Sequence, residues 1–210
     1  MEAIVPLAGV ALAWPLEWVV QRFPRGIGTS PSVRRAIAIA ALMAGLFALL
    51  VWQIGLHARL VPALILTALV VPAAIIDLNH RIIPDLINLP GAVIVFFAAG
   101  LAQPDRFVEL LLGGVLCFLF LFVAWKINPA GMGLGDVKMS LMIGLGLGWY
   151  AFTALLVAFT VSLVPSLYIL ARHGLKARKV GFPFGPFLAV GAVVALCWGA
   201  QISPHLIGGH

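Results

Sequence analysis

Seven residues of this 210-residue chain are acidic, and two of them stand where acids are costly. Asp77 closes the apolar run 60–76, and Asp136 opens the apolar run 137–148. An ionised carboxylate costs about 2.5–3.5 kcal/mol at the centre of a spanning helix and less at its end. Two carboxylates at one depth can meet across a helix bundle, however far apart they lie in sequence. Such a pair does not readily ionise twice, so it shares a proton. The charged member can take a proton from water while the neutral one donates to a carbonyl oxygen or a leaving amine. That is aspartic-protease chemistry. Two other readings of the same residues stand beside it. Each aspartate can cap a helix or pair with a cation, and Asp136 occupies a favourable cap and dipole position. Alternatively, the two can relay protons in a small transporter.

The remaining acids call for less. Asp105 and Glu109 read as a solvated loop face, and Glu2 is terminal. Glu17 lies near Arg22 and reads as a snorkelling or paired side chain. Asp85 reads as the cap of the helix that follows it. His80 reads as a surface histidine.

The segments around the two aspartates are unusual. Asp136 follows Gly131-Met132-Gly133-Leu134-Gly135, and three glycines at alternate positions predict a non-helical loop that another backbone can approach. Irregular backbone at membrane depth is tolerated where protein buries it or where it lines a watery cavity. Gly133, Gly135 and the nearby Lys138 are therefore candidates for a substrate-access loop. No strand precedes this loop and its spacing is wrong, which argues against a dinucleotide site. Asp77 leads into a loop punctuated by Pro84, with Pro90 at the entry to the next helix. A third segment, Pro183-Phe184-Gly185-Pro186, makes a rigid apolar entry to the last apolar run and a candidate wall for the same site.

The elements that position these residues follow from composition. The chain is 63% hydrophobic and 10% charged, against roughly 25% charged in soluble domains. That balance predicts an all-α polytopic membrane protein occupying 1–210 as a single integral-membrane domain. About eight transmembrane helices are expected, at 3–20, 36–56, 60–77, 87–102, 108–125, 137–150, 152–171 and 184–202. The N-terminus lacks a basic stretch and does not read as a cleaved signal peptide. Of the 13 lysines and arginines, Arg59 and Arg106 fall on one side of this layout and the other 11 on the opposite side. The positive-inside rule then places Asp77 and Asp136 at the cytoplasmic face and both termini outside. The net charge of +6 sits in short inter-helix loops, as membrane insertion produces, and argues against a nucleic-acid partner. The two cysteines, Cys117 and Cys197, lie singly in apolar runs and read as packed side chains, with no metal site.

Taken together, the segments resemble the prepilin peptidases, the type IV leader peptidases among membrane aspartic proteases of Gly-x-Gly-Asp type. The resemblance rests on Asp77 with Ile83-Pro84-Asp85, on Gly133-Leu134-Gly135-Asp136-Val137-Lys138, and on Pro183-Phe184-Gly185-Pro186, in that order. More loosely, Trp14 to Pro24 is similar to the family's first helix. The resemblance implies a multi-pass protein of the bacterial inner membrane with Asp77 and Asp136 as catalytic residues. It implies cleavage of a basic leader from prepilin or pseudopilin precursors, just before their hydrophobic helix, and no cofactor for that step. There is one departure. Many members carry two Cys-x-x-Cys pairs between their first two spans, associated with zinc and with methylation of the new N-terminus. Residues 21–35 hold no cysteine, which argues against zinc and against methyl transfer.

Overall fold

The computed structural model describes residues 5–7, 9–11, 33–129, 131–173 and 183–202. Those residues include seven α-helices of 14 to 24 residues and one 3-10 turn, with no strand among them. We number the helices α1 (Val33–Ile54), α2 (Leu60–His80), α3 (Asp85–Ala102), α4 (Phe107–Ile127), α5 (Leu134–Leu147), α6 (Tyr150–His173) and α7 (Gly185–Ile202). The 3-10 turn Pro104–Arg106 leads into α4.

Six of these helices are long and apolar enough to cross a membrane, which makes the chain a multi-pass membrane protein. They match the expected spans from the second onward to within a few residues, except the sixth. The expected first span, 3–20, lies mostly outside the described residues, although 5–7 and 9–11 are helical.

The sixth expected span is α5, which has 14 residues. It is therefore about 21 Å long, shorter than the roughly 30 Å hydrocarbon core. Its environment explains how so short a helix is tolerated. α5 packs against α2, α3, α4, α6 and α7, so every described long helix except α1 touches it. Val137, Met139, Met142 and Ile143 are buried in the core beside Leu66, Val70, Leu121 and Leu188. Protein, rather than lipid, surrounds it.

Close approach of α4 to α5 requires glycine. A Cβ on Gly144 would lie 2.5 Å from Gly114 Cα and 2.6 Å from the Gly113 carbonyl oxygen. The two backbones meet with no side chain between them, as small-residue packing in membranes allows. α2 is also enclosed, with 67% of its apolar window buried against 22% in α1. The outer faces of α4 and α6 present Leu116, Phe120, Val123, Leu163 and Val164, as a lipid boundary would require.

The end of the bundle away from the aspartates is stapled by Glu109. Its carboxylate accepts two hydrogen bonds from Arg106 and one from the Trp149 backbone N–H at 3.1 Å. The Arg106 guanidinium also donates to Gln103 and lies over the Tyr150 ring. Glu109 is thus a half-buried tie between α4 and the α5–α6 turn, and not part of a solvated face. The turn itself lies at Gly148-Trp149, slightly before the expected break between the sixth and seventh spans.

Candidate active site

Asp77 lies one turn inside the C-terminus of α2. The helix runs on to His80 and stops at Arg81, which adopts a left-handed conformation (φ 55°) and donates its N–H to the Asp77 carbonyl at 2.8 Å. The Asp77 side chain is buried, at 5% exposure. Its Oδ2 accepts the Gly185 N–H at 3.0 Å. Gly185 is the first residue of α7, so the carboxylate faces a helix N-terminus, where anions are favoured. A Cβ on Gly185 would stand 2.9 Å from that oxygen, so glycine is what lets α7 begin there. Pro186 follows at a helix position that needs no N–H partner. Phe184 is buried and holds the entry by ring contacts to Phe159 and Phe187.

Asp136 is the third residue of α5 and equally buried. Its Oδ2 accepts the Gly133 N–H at 3.1 Å, the return half of a capping box in which Gly133 has no side chain to supply the other half. Its Oδ1 is buried with no hydrogen-bond partner among the described residues. The cap also corrects the loop expectation. Gly131 and Gly133 remain non-helical, but Gly135 is inside the first turn of α5. An end-of-helix glycine costs little, and the aspartate cap offsets it.

The two carboxyl groups line one cavity of about 360 Å³, and the charge of Asp77 acts on Asp136. Gly133, Gly135 and Pro183 line it too, as does Arg81, whose charge acts on Asp77. Between the two aspartate-bearing segments sits Ile83. A Cβ on Gly135 would fall 2.9 Å from Ile83 Cβ, and one on Gly185 3.0 Å from Ile83 Cδ1. Ile83 therefore wedges between the N-termini of α5 and α7.

Three expectations change in detail. Asp85 does not cap α3, because Pro84 holds the N-cap position and no side-chain cap bond forms. Instead Asp85 pairs with Lys138 at 2.6 Å, joining α3 to α5 at the partly exposed rim. Lys138 is thereby engaged in that pair and does not line the cavity. Pro90 lies inside α3 and not at its entry. Sequence reasoning missed Arg81, Ile83 as a wedge, and Asn88, which is fully buried and donates to the Gly135 carbonyl at 3.1 Å. The polar Asn88 inside an apolar run was the available signal. Cys117 and Cys197 are both buried free thiols on different helices.

A bundle of apolar helices with two buried aspartates converging on one end cavity defines a multi-pass membrane protein with the groups for acid–base chemistry at that end. A profile of the type IV leader peptidase family matches residues 63–170, and the chain belongs to that family. The matched segment contains both aspartates. The chain is 33% identical over 137 residues to a prepilin leader peptidase/N-methyltransferase of Aeromonas salmonicida, covering 61% of this chain and 46% of that protein. A protein of the same description from Pseudomonas aeruginosa is 30% identical over 137 residues, 62% of this chain and 47% of the relative. A third, from Bacillus subtilis, is 36% identical over 123 residues, 54% and 48% respectively. The chain spans about half the length of these curated relatives. No solved structure gives a significant match.

Proposed function

We propose that this chain is a membrane aspartic endopeptidase that removes the leader of prepilin-like or pseudopilin precursors at the cytoplasmic face. One observation carries the reading: two buried aspartates on different helices line a single cavity that is also lined by Gly131 to Gly135, the loop and first turn that lead to Asp136. In this reading one carboxyl is ionised and takes a proton from water. The other is protonated and donates to the scissile carbonyl, and the roles reverse as the amine leaves. Asp77 is held toward the α7 N-terminus through Gly185, and Asp136 is held at the α5 N-terminus through Gly133. The loop at 131–133, leading into α5, gives an extended substrate backbone somewhere to lie. The precursor's hydrophobic helix stays in the bilayer against the bundle. The rim cations do not attract a leader that is itself basic.

The cytoplasmic assignment rests on charge. Arg34, Arg35, Arg81, Lys126, Lys138 and Arg172 stand at the helix ends that share the cavity's side, and Arg59 and Arg106 at the other. We further assign cleavage without methyl transfer. The named relatives carry both activities in their descriptions, but this sequence has no Cys-x-x-Cys pair of the kind associated with methylation in the family.

The test is co-expression of a prepilin with wild type, Asp77→Asn or Asp136→Asn, following the leader by gel shift. Asparagine keeps the shape and removes the titration. Wild type is expected to process the precursor and both variants to leave it uncut. Processing by either variant would sink the dyad. Intact processing with a proton-transport defect would favour the relay.

A further inference from the structure

One buried side chain grips the backbone that carries Asp136 and is poorly explained by packing. Asn88 is the fourth residue of α3 and is 0% exposed. Its Nδ2 donates to the Gly135 carbonyl across 47 residues of sequence. Its Oδ1 is buried and has no hydrogen-bond partner among the described residues. A buried polar atom left unsatisfied costs about 1–3 kcal/mol, which an apolar side chain of similar size avoids. Asn88 is therefore a poor choice for stability alone.

What its donor reaches is informative. The Gly135 carbonyl belongs to the same planar peptide unit as the Asp136 N–H. Gly135 has no side chain to hold that unit, and its open face lies against Ile83. The N–H end of that unit donates to the Gly133 carbonyl at 3.2 Å and Asn88 holds its carbonyl end, so the two bonds together fix how the Asp136 backbone is turned. The Asp136 carboxyl is then tied at Oδ2 to Gly133, which sets the direction in which the unpaired Oδ1 points. Asn88 itself does not line the cavity.

We propose that Asn88 is a positioning residue for Asp136, acting through the Gly135 carbonyl. This inference rests on the aspartic-protease reading above. It predicts a particular split. Asn88→Leu removes the donor and the unsatisfied acceptor together, so the fold should be as stable as wild type or more so. The carboxyl, however, loses its fixed aim, and misplacement on the scale of 1 Å costs up to about 10²-fold in rate.

The experiment measures kcat and KM for cleavage of a purified prepilin, with thermal midpoints, for detergent-purified wild type, Asn88→Leu and Asn88→Gln. Expected for Asn88→Leu is an unchanged or higher midpoint, a kcat lower by roughly 10- to 100-fold, and a KM within about twofold of wild type. Asn88→Gln keeps the donor on a longer arm and should recover part of kcat. Wild-type kcat in Asn88→Leu overturns the proposal. So does a kcat loss that follows an equal loss of stability and is not eased by glutamine. If Asn88→Leu fails to accumulate, the smaller Asn88→Thr is measured against the same outcomes. A wild type that cleaves no prepilin would instead overturn the protease reading, which keeps the two failures distinct.

Discussion

Asp77 and Asp136 were legible as residues because they are expensive where they stand. An acid at the end of an apolar run needs a reason, and the cavity that both line supplies one. The dyad reading makes a pH prediction. A pair working with one shared proton loses activity at low pH, when both are protonated, and at high pH, when both are ionised. Cleavage rate against pH should therefore be bell-shaped. A profile that rises and then stays flat to high pH would mean that no protonated aspartate is needed. Gly185 carries a second prediction. An alanine methyl would meet Asp77 Oδ2 at 2.9 Å, and the shift that relieves it would break the 3.0 Å bond from the Gly185 N–H. Gly185→Ala is expected to cut kcat by about 10- to 100-fold while the protein still inserts and folds. Near-normal kcat in a purified, folded variant would show that the Gly185 contact does not set the aim of Asp77. The residues that were not legible, Ile83 and Asn88, belong to the same scale. Ile83 looks like an ordinary member of its run and Asn88 stands out only as a polar residue in an apolar one, and each gains its role only from Gly135, which packing brings beside it from far along the chain.

At the scale of elements, long apolar runs announced the helices well, and short polar signals announced their ends less well. The ends moved because caps were assigned to the wrong residue. Asp85 looked like an N-cap from its position before an apolar run, but Pro84, with extended φ and ψ, takes that place. The freed carboxylate finds Lys138 on α5 instead. Only tertiary packing decides between those partners. Likewise, Gly135 is a helix breaker by composition and sits in a helix by context, beneath the Asp136 cap. The Asp85–Lys138 pair yields a prediction with a modest size. Both side chains are partly exposed, at 56% and 30%, and exposed pairs contribute about 0–1 kcal/mol. Asp85→Lys and Lys138→Asp should each lower the thermal midpoint slightly, with like charges now opposed. The double exchange should restore most of the loss. If the double variant is no better than the sum of the singles, the pair does not join α3 to α5 in the folded protein.

At the scale of the whole molecule, composition established the membrane class and the order of the helices. It did not reveal that α5 is a 14-residue interior helix ringed by all the others but α1, because hydropathy cannot distinguish apolar residues facing lipid from apolar residues facing protein. That arrangement matters for orientation. α5 places Asp136 at its N-terminus and α2 places Asp77 near its C-terminus, so the two antiparallel helices deliver both carboxyls to one end of the bundle. The same end carries Arg34, Arg35, Arg81, Lys126, Lys138 and Arg172, and the opposite end Arg59 and Arg106. Cations resist translocation, so the crowded end is expected in the cytoplasm. Single cysteines at Arg81 and at Arg59, introduced into a variant lacking Cys117 and Cys197, test this directly in intact cells. A membrane-impermeant thiol reagent should label the Arg59 position from outside and reach the Arg81 position only after the membrane is opened. Labelling of the Arg81 position in intact cells would invert the topology, put the aspartate cavity outside, and remove the precursor's cytoplasmic leader as its substrate.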